Sequence, residues 1–336
     1  MLPHFARFRN PARLRAIPVR LRAIPVRLGT IPARPTVVAV VATGGLAVTL
    51  AGCGSSTAAA GKGRIVAVGA ENEYANVISQ IGGKYVSVSA IMSNPNTDPH
   101  TFEASPSVAE KVSAAKLVVQ NGVGYDTFMD KIESASSNSS RKVIDVQTLL
   151  GLPDSTPNPH LWYDRTTMPA VATALVKDLS ALAPSHRAYF AANARRFNAS
   201  LKPWLNAVDA FKRQHPGTPV ATTEPVGDYM LQAAGTHNLT PFNLQADIMN
   251  GVDPAPQDIG LQNSLLKDHK VKVFLYNQQV TDTLTQSFLQ QAAKYHVPVV
   301  GVYETMPLGY SYQSWMLAEV NALKRAVTIG QSTTKL

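Results

Sequence analysis

The sequence predicts an α/β protein with two Rossmann-like lobes, each a mostly parallel sheet flanked by helices, joined by one long helix. In both halves of the chain, short apolar runs typical of buried strands alternate with stretches of helical spacing. Between the two halves, residues 167–214 show only helical spacing. Parallel sheets follow from the alternation, because consecutive parallel strands need a crossover connection that is usually a helix.

The first lobe is predicted over residues 65–166. Its strands are short apolar or alternating runs: Ile65–Gly69, Val86–Met92, Leu117–Gln120 and Val143–Val146. Its helices are predicted at Glu73–Ile81, Pro106–Ala115 and Asp126–Ser134. Ser105 is expected to be the N-cap of the second of these helices, because proline follows it at the first helical position.

The linking segment is predicted over residues 167–214. A first helix is expected at Thr167–Leu182, and a longer helix is expected to follow Ser185 as its N-cap. The apolar residues of the longer helix lie on one face, at steps of three, four and seven: Phe190, Phe197, Leu201, Trp204, Val208 and Phe211. Pro203 lies inside this pattern, so the helix should kink or split there.

The second lobe is predicted over residues 215–330. Its strands are again short apolar runs: Pro219–Thr223, Val271–Tyr276 and Val297–Tyr303. Its helices are predicted at Asp228–Ala234, Asp253–His269, Thr281–Tyr295 and Ser311–Ile329. The return of the alternation after residue 214 therefore predicts a second sheet of the same kind.

Residues 1–52 have the layout of a bacterial lipoprotein signal peptide. Eight arginines precede the apolar run Thr36–Leu50, and small residues then lead to Cys53. This layout predicts cleavage and lipid attachment at Cys53, with residues 53–64 as a flexible tether. A true membrane span is the alternative, but the run has 15 residues, and a span needs about 20.

Most of the net charge belongs to this N-terminal segment. The net charge of +9 includes the eight arginines, and residues 1–52 hold no lysine and no acidic residue, so residues 53–336 carry +1. Basic charge is therefore no argument for a nucleic-acid partner, and none is expected. Cys53 is the only cysteine, which excludes a disulfide within the chain. We expect a monomer, anchored by lipid on the extracytoplasmic face of the cell membrane.

Four polar side chains follow predicted strands, where ligands collect in open α/β sheets. Two are histidines from the first lobe and two are carboxylates from the second: His100, His160, Glu224 and Glu304. A proline precedes each histidine and stiffens the backbone there. Imidazole suits transition metals and carboxylate suits harder cations, so the set predicts one Mn²⁺ or Zn²⁺ ion held between the lobes.

Each of these residues alone also has a simpler interpretation. A loop histidine is usually a surface residue, and a glutamate at a strand end usually caps a helix or faces water. The remaining histidines of the domain lie in predicted helices or linkers and receive no role: His186, His215, His237, His269 and His296. The metal prediction therefore depends on the four residues acting together.

The motifs resemble those of the solute-binding lipoproteins of zinc and manganese ABC transporters, the group with a rigid linking helix. The similar segments are DPHTFE (Asp98–Glu103), NPHLWYD (Asn158–Asp164), HRAYFAANARRFNASL (His186–Leu201) and EPVGDYMLQAAG (Glu224–Gly235). The resemblance implies His100, His160 and Glu224 as metal ligands. The family usually has aspartate as the fourth ligand, whereas this sequence has Glu304; Asp282 and Asp247 are the alternatives.

The resemblance also implies what the ligand set does. The protein would capture a divalent metal and deliver it to a membrane permease that a separate ATPase powers; this chain has no GxxxxGK[ST] motif of its own. Glutamate as the third ligand resembles the manganese-binding members, yet zinc binds most nitrogen and oxygen sites more tightly than manganese. Both metals therefore remain candidates.

Groups near the ligands have possible supporting roles. Asp98, Glu103 and Asp164 are near the histidines in sequence and are candidates to orient them, although turn formation explains them equally well. A separate set of aromatic residues either shields the ion from water or packs in the core: Trp162, Tyr163 and Tyr229.

Two other functions are compatible with the same residues. A secreted metalloenzyme would hold zinc with three ligands and use Glu304 as a base. The sequence has no HExxH and no G-x-S-x-G motif in support of it. A receptor for a chelated ion or an organic solute would bind through aromatic and arginine contacts, and the paired Pro-His motifs argue against that function.

Overall fold

The first lobe is built on a four-stranded parallel sheet, within the residues that the computed structural model describes, 63–96 and 98–336. Its strands are β1 (Ile65–Glu71), β2 (Val86–Met92), β3 (Leu117–Gln120) and β4 (Lys142–Asp145), in the order β2-β1-β3-β4. In the register, Ile65 lies beside Val86 and Val119 beside Ile144. The predicted strands are confirmed, with ends that differ by one or two residues.

The helices of the first lobe fill the connections between these strands. They are α1 (Asn72–Gly82), α2 (Pro106–Ala114), α3 (Thr127–Ala135) and α4 (Val146–Leu150). Ser105 is the N-cap residue of α2, as predicted, with Pro106 at the first helical position. Its hydroxyl contacts that of Ser107, so the side chain itself makes no capping bond to the helix.

The second lobe repeats the plan with a second four-stranded parallel sheet in the described residues. Its strands are β5 (Pro219–Thr222), β6 (His237–Asn238), β7 (Val273–Asn277) and β8 (Val299–Val302), in the order β6-β5-β7-β8. The helices that follow α5 to α7 of the linking segment are α8 (Asp228–Ala233), α9 (Phe242–Met249), α10 (Pro256–Lys267), α11 (Thr283–Lys294) and α12 (Tyr312–Ile329).

Two elements of the second lobe were not predicted. β6 has only two residues, too few to give a periodic pattern. α9 follows it in a part of the chain for which the sequence analysis predicted no helix or strand. His237 therefore begins a strand at the sheet edge, and its assignment to a helix or linker was wrong.

The linking segment consists of α5 (Thr167–Leu182), α6 (Arg187–Ser200) and α7 (Lys202–Gln214). The predicted long helix divides at Leu201, with Pro203 in the first turn of α7, where a missing N–H costs no helical bond. The N-cap prediction for Ser185 was wrong, because His186 precedes α6 and Ser185 lies in a short 3-10 turn. α6 packs on α1 and α5, and α7 packs on α8 and α12, so the pair joins the lobes.

One hydrophobic core continues from the first lobe through the linking helices into the second. Tyr74 and Trp162 belong to it, as do Trp204 and Trp315, and all four are buried. Polar bonds reinforce the contact between the lobes: Asn72 Nδ2 donates to the carbonyl of Met306 at 2.8 Å, and Asn72 Oδ1 accepts from the Met306 N–H at 2.9 Å. Opening the lobes widely would expose this core to water.

The predictions that concern the membrane lie mostly outside the described residues. The signal peptide 1–52, the lipidation site Cys53 and the tether up to residue 62 belong to that undescribed part and stay predictions. Within the described residues, no helix combines the length and the apolar composition that crossing a bilayer requires.

Candidate metal centre

His100 lies in a 3-10 turn, Pro99–Thr101, that follows the carboxyl end of β2. Asp98 begins this turn, and its Oδ1 accepts the backbone N–H of His100 at 2.8 Å. Pro99 between them fixes φ, which explains why the Asp-Pro-His sequence forms the turn locally. The His100 side chain retains 21% exposure, so it forms the open side of the site.

His160 is held in the same way but is fully buried. Asn158 Oδ1 accepts the backbone N–H of His160 at 3.0 Å and lies 2.8 Å from its Nδ1. Since Asn158 Nδ2 donates to the carbonyl of Pro225 at 2.8 Å, the oxygen of that amide must accept from His160. Nδ1 of His160 therefore bears the proton, and Nε2 presents a lone pair.

Glu304 brings the two histidines together. It follows β8, and its Oε2 lies 3.1 Å from His100 Nε2 and 3.2 Å from His160 Nε2. Ligand atoms of these three residues all lie within 4.8 Å of one another, and no other such group is found in the described part of the chain. Tyr125 also donates its hydroxyl to Oε2, at 2.9 Å. A lone pair on His160 Nε2 that faces a carboxylate oxygen requires a proton or a cation between the two atoms.

Glu224 lies beside this group without joining it. It follows β5, is 2% exposed, and its Oε2 accepts from Asn277 Nδ2 at 3.3 Å. Its Oε1 is buried and has no hydrogen-bond partner among the described residues. Asn277 Nδ2 also donates to Glu304 Oε1 at 2.5 Å, so one amide connects both carboxylates. The structure thus gathers three of the four predicted ligands and leaves the fourth adjacent, with a free oxygen.

Burial and neighbouring charges determine the protonation of the site. Burial lowers the pKa of His160, whereas at His100 the hydrogen bond and charge of Glu304 outweigh burial and raise the pKa. Burial acts to raise the pKa of Glu304, but the bonds to both histidines hold it well below its usual range. Burial, and then the charge of Glu304, raises the pKa of Glu224. A divalent cation would replace the protons that His100 and Glu224, with their raised pKa values, otherwise retain.

The remaining predicted residues have different positions. Glu103 is exposed. Asp164 Oδ1 accepts the N–H of Thr166 at 2.7 Å and its hydroxyl at 2.6 Å, which is the turn-forming role that the sequence left open. Asp282 is the N-cap of α11 and accepts the N–H of Thr285 at 2.7 Å. Asp247 lies within α9. The roles of Asp98, Glu103 and Asp164 near a bound metal stay predictions.

The predicted aromatic residues Trp162, Tyr163 and Tyr229 lie on the buried side of the site, around His160 and the end of β8. The ring of Trp162 meets the edge of His160 at 5.4 Å and that of Tyr125 at 5.1 Å between centroids. Tyr163 donates its hydroxyl to the carbonyl of Tyr303 at 2.9 Å and so fixes the end of β8 next to Glu304. The Tyr229 hydroxyl donates to the carbonyl of Asn158 at 2.8 Å. Trp162 and Tyr163 therefore lie in the hydrophobic core and Tyr229 packs against it, and shielding of a bound ion from water stays a prediction.

The sequence prediction missed three polar residues of the site: Asn158, Tyr125 and Asn277. Asn158 carried a signal, because Asn-Pro-His repeats the Asp-Pro-His arrangement around His100. Asn277 carried a weaker one, as a polar residue that ends a buried strand. Tyr125 contacts Glu304 across 179 positions of sequence, and no local pattern could indicate it.

A cavity of about 490 Å³ leads to His100 from outside. Residues of both lobes line it, among them Asp98 and Thr101 of the first, and Met249, Gln279 and Asp282 of the second. Two carboxylates at the cavity wall favour the approach of a cation. The nitrogen and oxygen donors behind it are those that bind zinc and manganese in proteins.

Solved structures share this architecture. The structure of FpvC from Pseudomonas aeruginosa, a solute-binding protein in complex with Mn²⁺, has a TM-score of 0.65 with 20% sequence identity. The match covers 80% of this chain and 99% of that chain. The fold is therefore that of the two-lobed solute-binding proteins, and the predicted fold class is confirmed.

The particular family follows from the sequence comparison. Residues 68–326 match ZnuA, described as the periplasmic component A of the zinc-uptake complex, and the chain belongs to this family. The manganese ABC transporter substrate-binding lipoprotein PsaA of Streptococcus mitis is 23% identical over 255 residues, which cover 70% of this chain and 79% of that protein.

The manganese-binding lipoprotein MntA of Bacillus subtilis is 26% identical over 160 residues. These residues cover 46% of this chain, and the match spans about half of the Bacillus protein, 52%. The resemblance drawn from the motifs is confirmed, and the relatives are named for manganese or, in the family description, for zinc, the two metals predicted.

Proposed function

We propose that this protein is the extracytoplasmic receptor of an ABC importer and captures Mn²⁺ or Zn²⁺ between its lobes. The observation that carries this proposal is the convergence of His100 Nε2 and His160 Nε2 on Glu304 Oε2, at 3.1 and 3.2 Å. The ion is the transported substrate. Glu224 is its fourth ligand and supplies Oε1, which has no hydrogen-bond partner among the described residues.

Capture requires only small movements. The continuous core between the lobes fixes the separation of the two lobes, and the linking helices α6 and α7 pack on helices of both lobes. The ion enters through the cavity beside Asp98 and Asp282, where His100 is the accessible ligand. Closure then consists of local shifts of the His100 turn and of Glu224, rather than a wide hinge rotation.

Delivery takes place at the membrane. The protein is attached through lipid on Cys53, acts as a monomer, and transfers the ion to a permease whose ATPase is a separate chain. The names of the family and of PsaA support this assignment. We infer that the protein binds and releases its ion without chemical conversion of a substrate.

Metal binding by the purified domain tests the proposal. The chain from Gly54 onward is stripped with a chelator and titrated with Mn²⁺ and Zn²⁺ by calorimetry, with elemental analysis of the loaded protein. One ion per chain is expected. His160→Ala should lose most of the affinity while the fold is retained, because the core forms without the ion.

The matched control is His237→Ala, which removes an exposed histidine at the edge of the second sheet. It should bind metal like the wild type. Thermal unfolding provides a second reading: saturating metal at about 100 times its dissociation constant stabilises the folded state by about 2.7 kcal/mol. The same addition should do little for His160→Ala. A wild-type protein that binds neither ion at micromolar concentration contradicts the proposal.

A further inference from the structure

Asn277 occupies the position between the two candidate carboxylates because of the strand order. β7 lies between β5 and β8 in the sheet, and Asn277 is its last residue. Glu224 and Glu304 follow β5 and β8, each two residues past the strand end. The three side chains therefore meet at one edge, with the amide in the middle.

The amide of Asn277 is fully buried and has one defined orientation. Its Oδ1 accepts the backbone N–H of Gln279 at 3.0 Å, and the backbone N–H of Asn277 donates to Thr223 Oγ1 at 3.0 Å. Nδ2 therefore faces the carboxylates and donates one hydrogen to each, to Glu224 Oε2 at 3.3 Å and to Glu304 Oε1 at 2.5 Å.

Each carboxylate is left with one oxygen that the amide does not hold. For Glu304 this is Oε2, which faces both histidines and also accepts from the Tyr125 hydroxyl at 2.9 Å. For Glu224 it is Oε1, which is buried without a partner among the described residues. The Asn277 amide fixes the orientation of each carboxylate and keeps one of its oxygens directed at Nδ2, so that the carboxylate cannot readily bind an ion through both oxygens.

We propose that Asn277 is a specificity-determining residue that restricts Glu224 and Glu304 to one metal-binding oxygen each. The proposal rests on the function proposed above. With two imidazole nitrogens and two single oxygens, the site offers four donors, the number that zinc takes in its tetrahedral protein sites. Mn²⁺ favours more oxygen donors, and two freed carboxylate oxygens would supply them. Asn277 thus shifts the ratio of affinities towards zinc.

The variant Asn277→Ala tests this role, with Asn238→Ala as the matched control. Asn238 is in the same lobe, and its Nδ2 donates to Thr222 Oγ1 and Asp228 Oδ1, both at 3.1 Å, but it contacts no candidate ligand. Removing an outer partner of a metal ligand changes affinity by about 10–100-fold. For Asn277→Ala we expect the ratio of manganese to zinc affinity to rise by about tenfold. Asn238→Ala should keep the wild-type ratio.

Cobalt(II) in place of the natural ion reports the number of donors directly. Four-coordinate cobalt absorbs visible light strongly, and five- or six-coordinate cobalt absorbs weakly. The wild type and Asn238→Ala should give the strong spectrum, and Asn277→Ala a weaker one at the same stoichiometry. An Asn277→Ala protein with both the wild-type spectrum and the wild-type affinity ratio overturns the proposal, while metal binding by the wild type still supports the receptor function.

X-ray absorption on the zinc-loaded wild type needs no variant, so it applies even if Asn277→Ala does not fold. Four nitrogen or oxygen neighbours at about 2.0–2.1 Å support the restriction to single oxygens. A first shell of five or six neighbours overturns it. A wild-type protein that binds no divalent ion contradicts the receptor function itself, which is a different result from a bound ion with too many neighbours.

Discussion

In the first lobe a side chain two positions earlier fixes each histidine, whereas in the second lobe side chains distant in sequence fix each carboxylate. Asp98 binds the backbone of His100, and Asn158 binds that of His160. By contrast, Asn277 holds both Glu224 and Glu304, which are 53 and 27 positions away. The nitrogen half of the site is therefore preformed by local turns, and the oxygen half depends on the assembled sheet.

This difference affects energetics as well as geometry. Local turns cost little to form, because few residues must be ordered to make them. Two carboxylates buried side by side repel each other when both are ionised. Tyr125 and the histidines contact Glu304, whereas the Asn277 amide is the only hydrogen-bond partner of the Glu224 carboxyl among the described residues. The oxygen half therefore stores an electrostatic cost that a divalent cation relieves, and the nitrogen half does not.

Replacement of the two carboxylates should give the largest effects and separate their roles. Glu304→Gln removes the charge at the centre of the group, and we expect metal affinity to fall by more than about 100-fold, beyond the loss typical of outer partners. Glu224→Gln should weaken binding less, because Glu224 lies outside the close group. It should also raise the melting temperature of the metal-free protein, since it removes the repulsion. Calorimetry and thermal unfolding measure both.

An equal loss of metal affinity in Glu304→Gln and Glu224→Gln would show that the two carboxylates contribute equally as ligands, contrary to the expectation. A lower melting temperature for metal-free Glu224→Gln would contradict the stored repulsion. Exposed Glu110 on α2 provides the control, because Glu110→Gln makes the same chemical change away from the site.

The local turns of the first lobe can be compared by Asn158→Ala and Asp98→Ala. Asn158 binds the ring of His160 as well as its backbone and reaches Pro225 in the second lobe. Its removal should lower metal affinity by about 10–100-fold. Asp98 binds only the backbone of His100, so its removal should cost less. Competition with a chromogenic chelator measures both, and a larger loss for Asp98→Ala would reverse the assignment.

Acidification should weaken metal binding through both halves. Protons compete for the imidazoles, and the pKa of His100 is raised by Glu304 against the effect of burial. Burial and the charge of Glu304 raise the pKa of Glu224, so its proton must also leave before an ion binds. Affinity should therefore fall as pH decreases from 8 to 5, and binding should release more protons at the lower pH values, where the metal-free ligands hold them. Calorimetry in buffers of different ionisation enthalpy measures both quantities, and equal affinities at the two limits would contradict this account.

Glu319, away from the ligands, should change the pH dependence of stability with little effect on metal binding. Its Oε1 accepts from Trp315 Nε1 at 2.9 Å and from the Tyr163 hydroxyl at 3.4 Å, and burial raises its pKa to about 8. Between its unfolded pKa and pH 8, the folded protein retains a proton that the unfolded chain releases. The free energy of unfolding therefore decreases as pH rises, by up to about 1.4 kcal/mol per pH unit from this group.

Glu319→Gln keeps the acceptor oxygen and removes the ionisation, so it should flatten this slope. Urea unfolding at pH 5 and pH 8 measures the difference between the variant and the wild type, which should grow with pH. Burial also raises the pKa values of Asp126 and Asp228, both to about 6. These two groups are present in the wild type and in Glu319→Gln, so their contributions cancel in the difference between the two unfolding free energies. Parallel pH curves for the two proteins would show that Glu319 is ionised in the folded state.

Sequence patterns predicted most of the fold because the signals are local and repeated. Apolar runs such as Leu117–Gln120 became strands, and capped, periodic stretches such as Pro106–Ala114 became helices. The failures are equally instructive. β6 is too short to carry a period, and the N-cap of α6 moved from Ser185 to His186 because Pro184 begins a separate turn.

The sequence alone determined the two lobes and the two histidine turns, since Asx-Pro-His fixes its own backbone through bonds between residues two apart. Only the tertiary structure decided that Glu304 joins the histidines directly while Glu224 stands aside with Asn277 between the carboxylates. The physical reason is that strand order brings these side chains together at one edge of the sheet. Hydrogen bonds between residues far apart in sequence produce no periodic pattern of residue types from which they could be predicted.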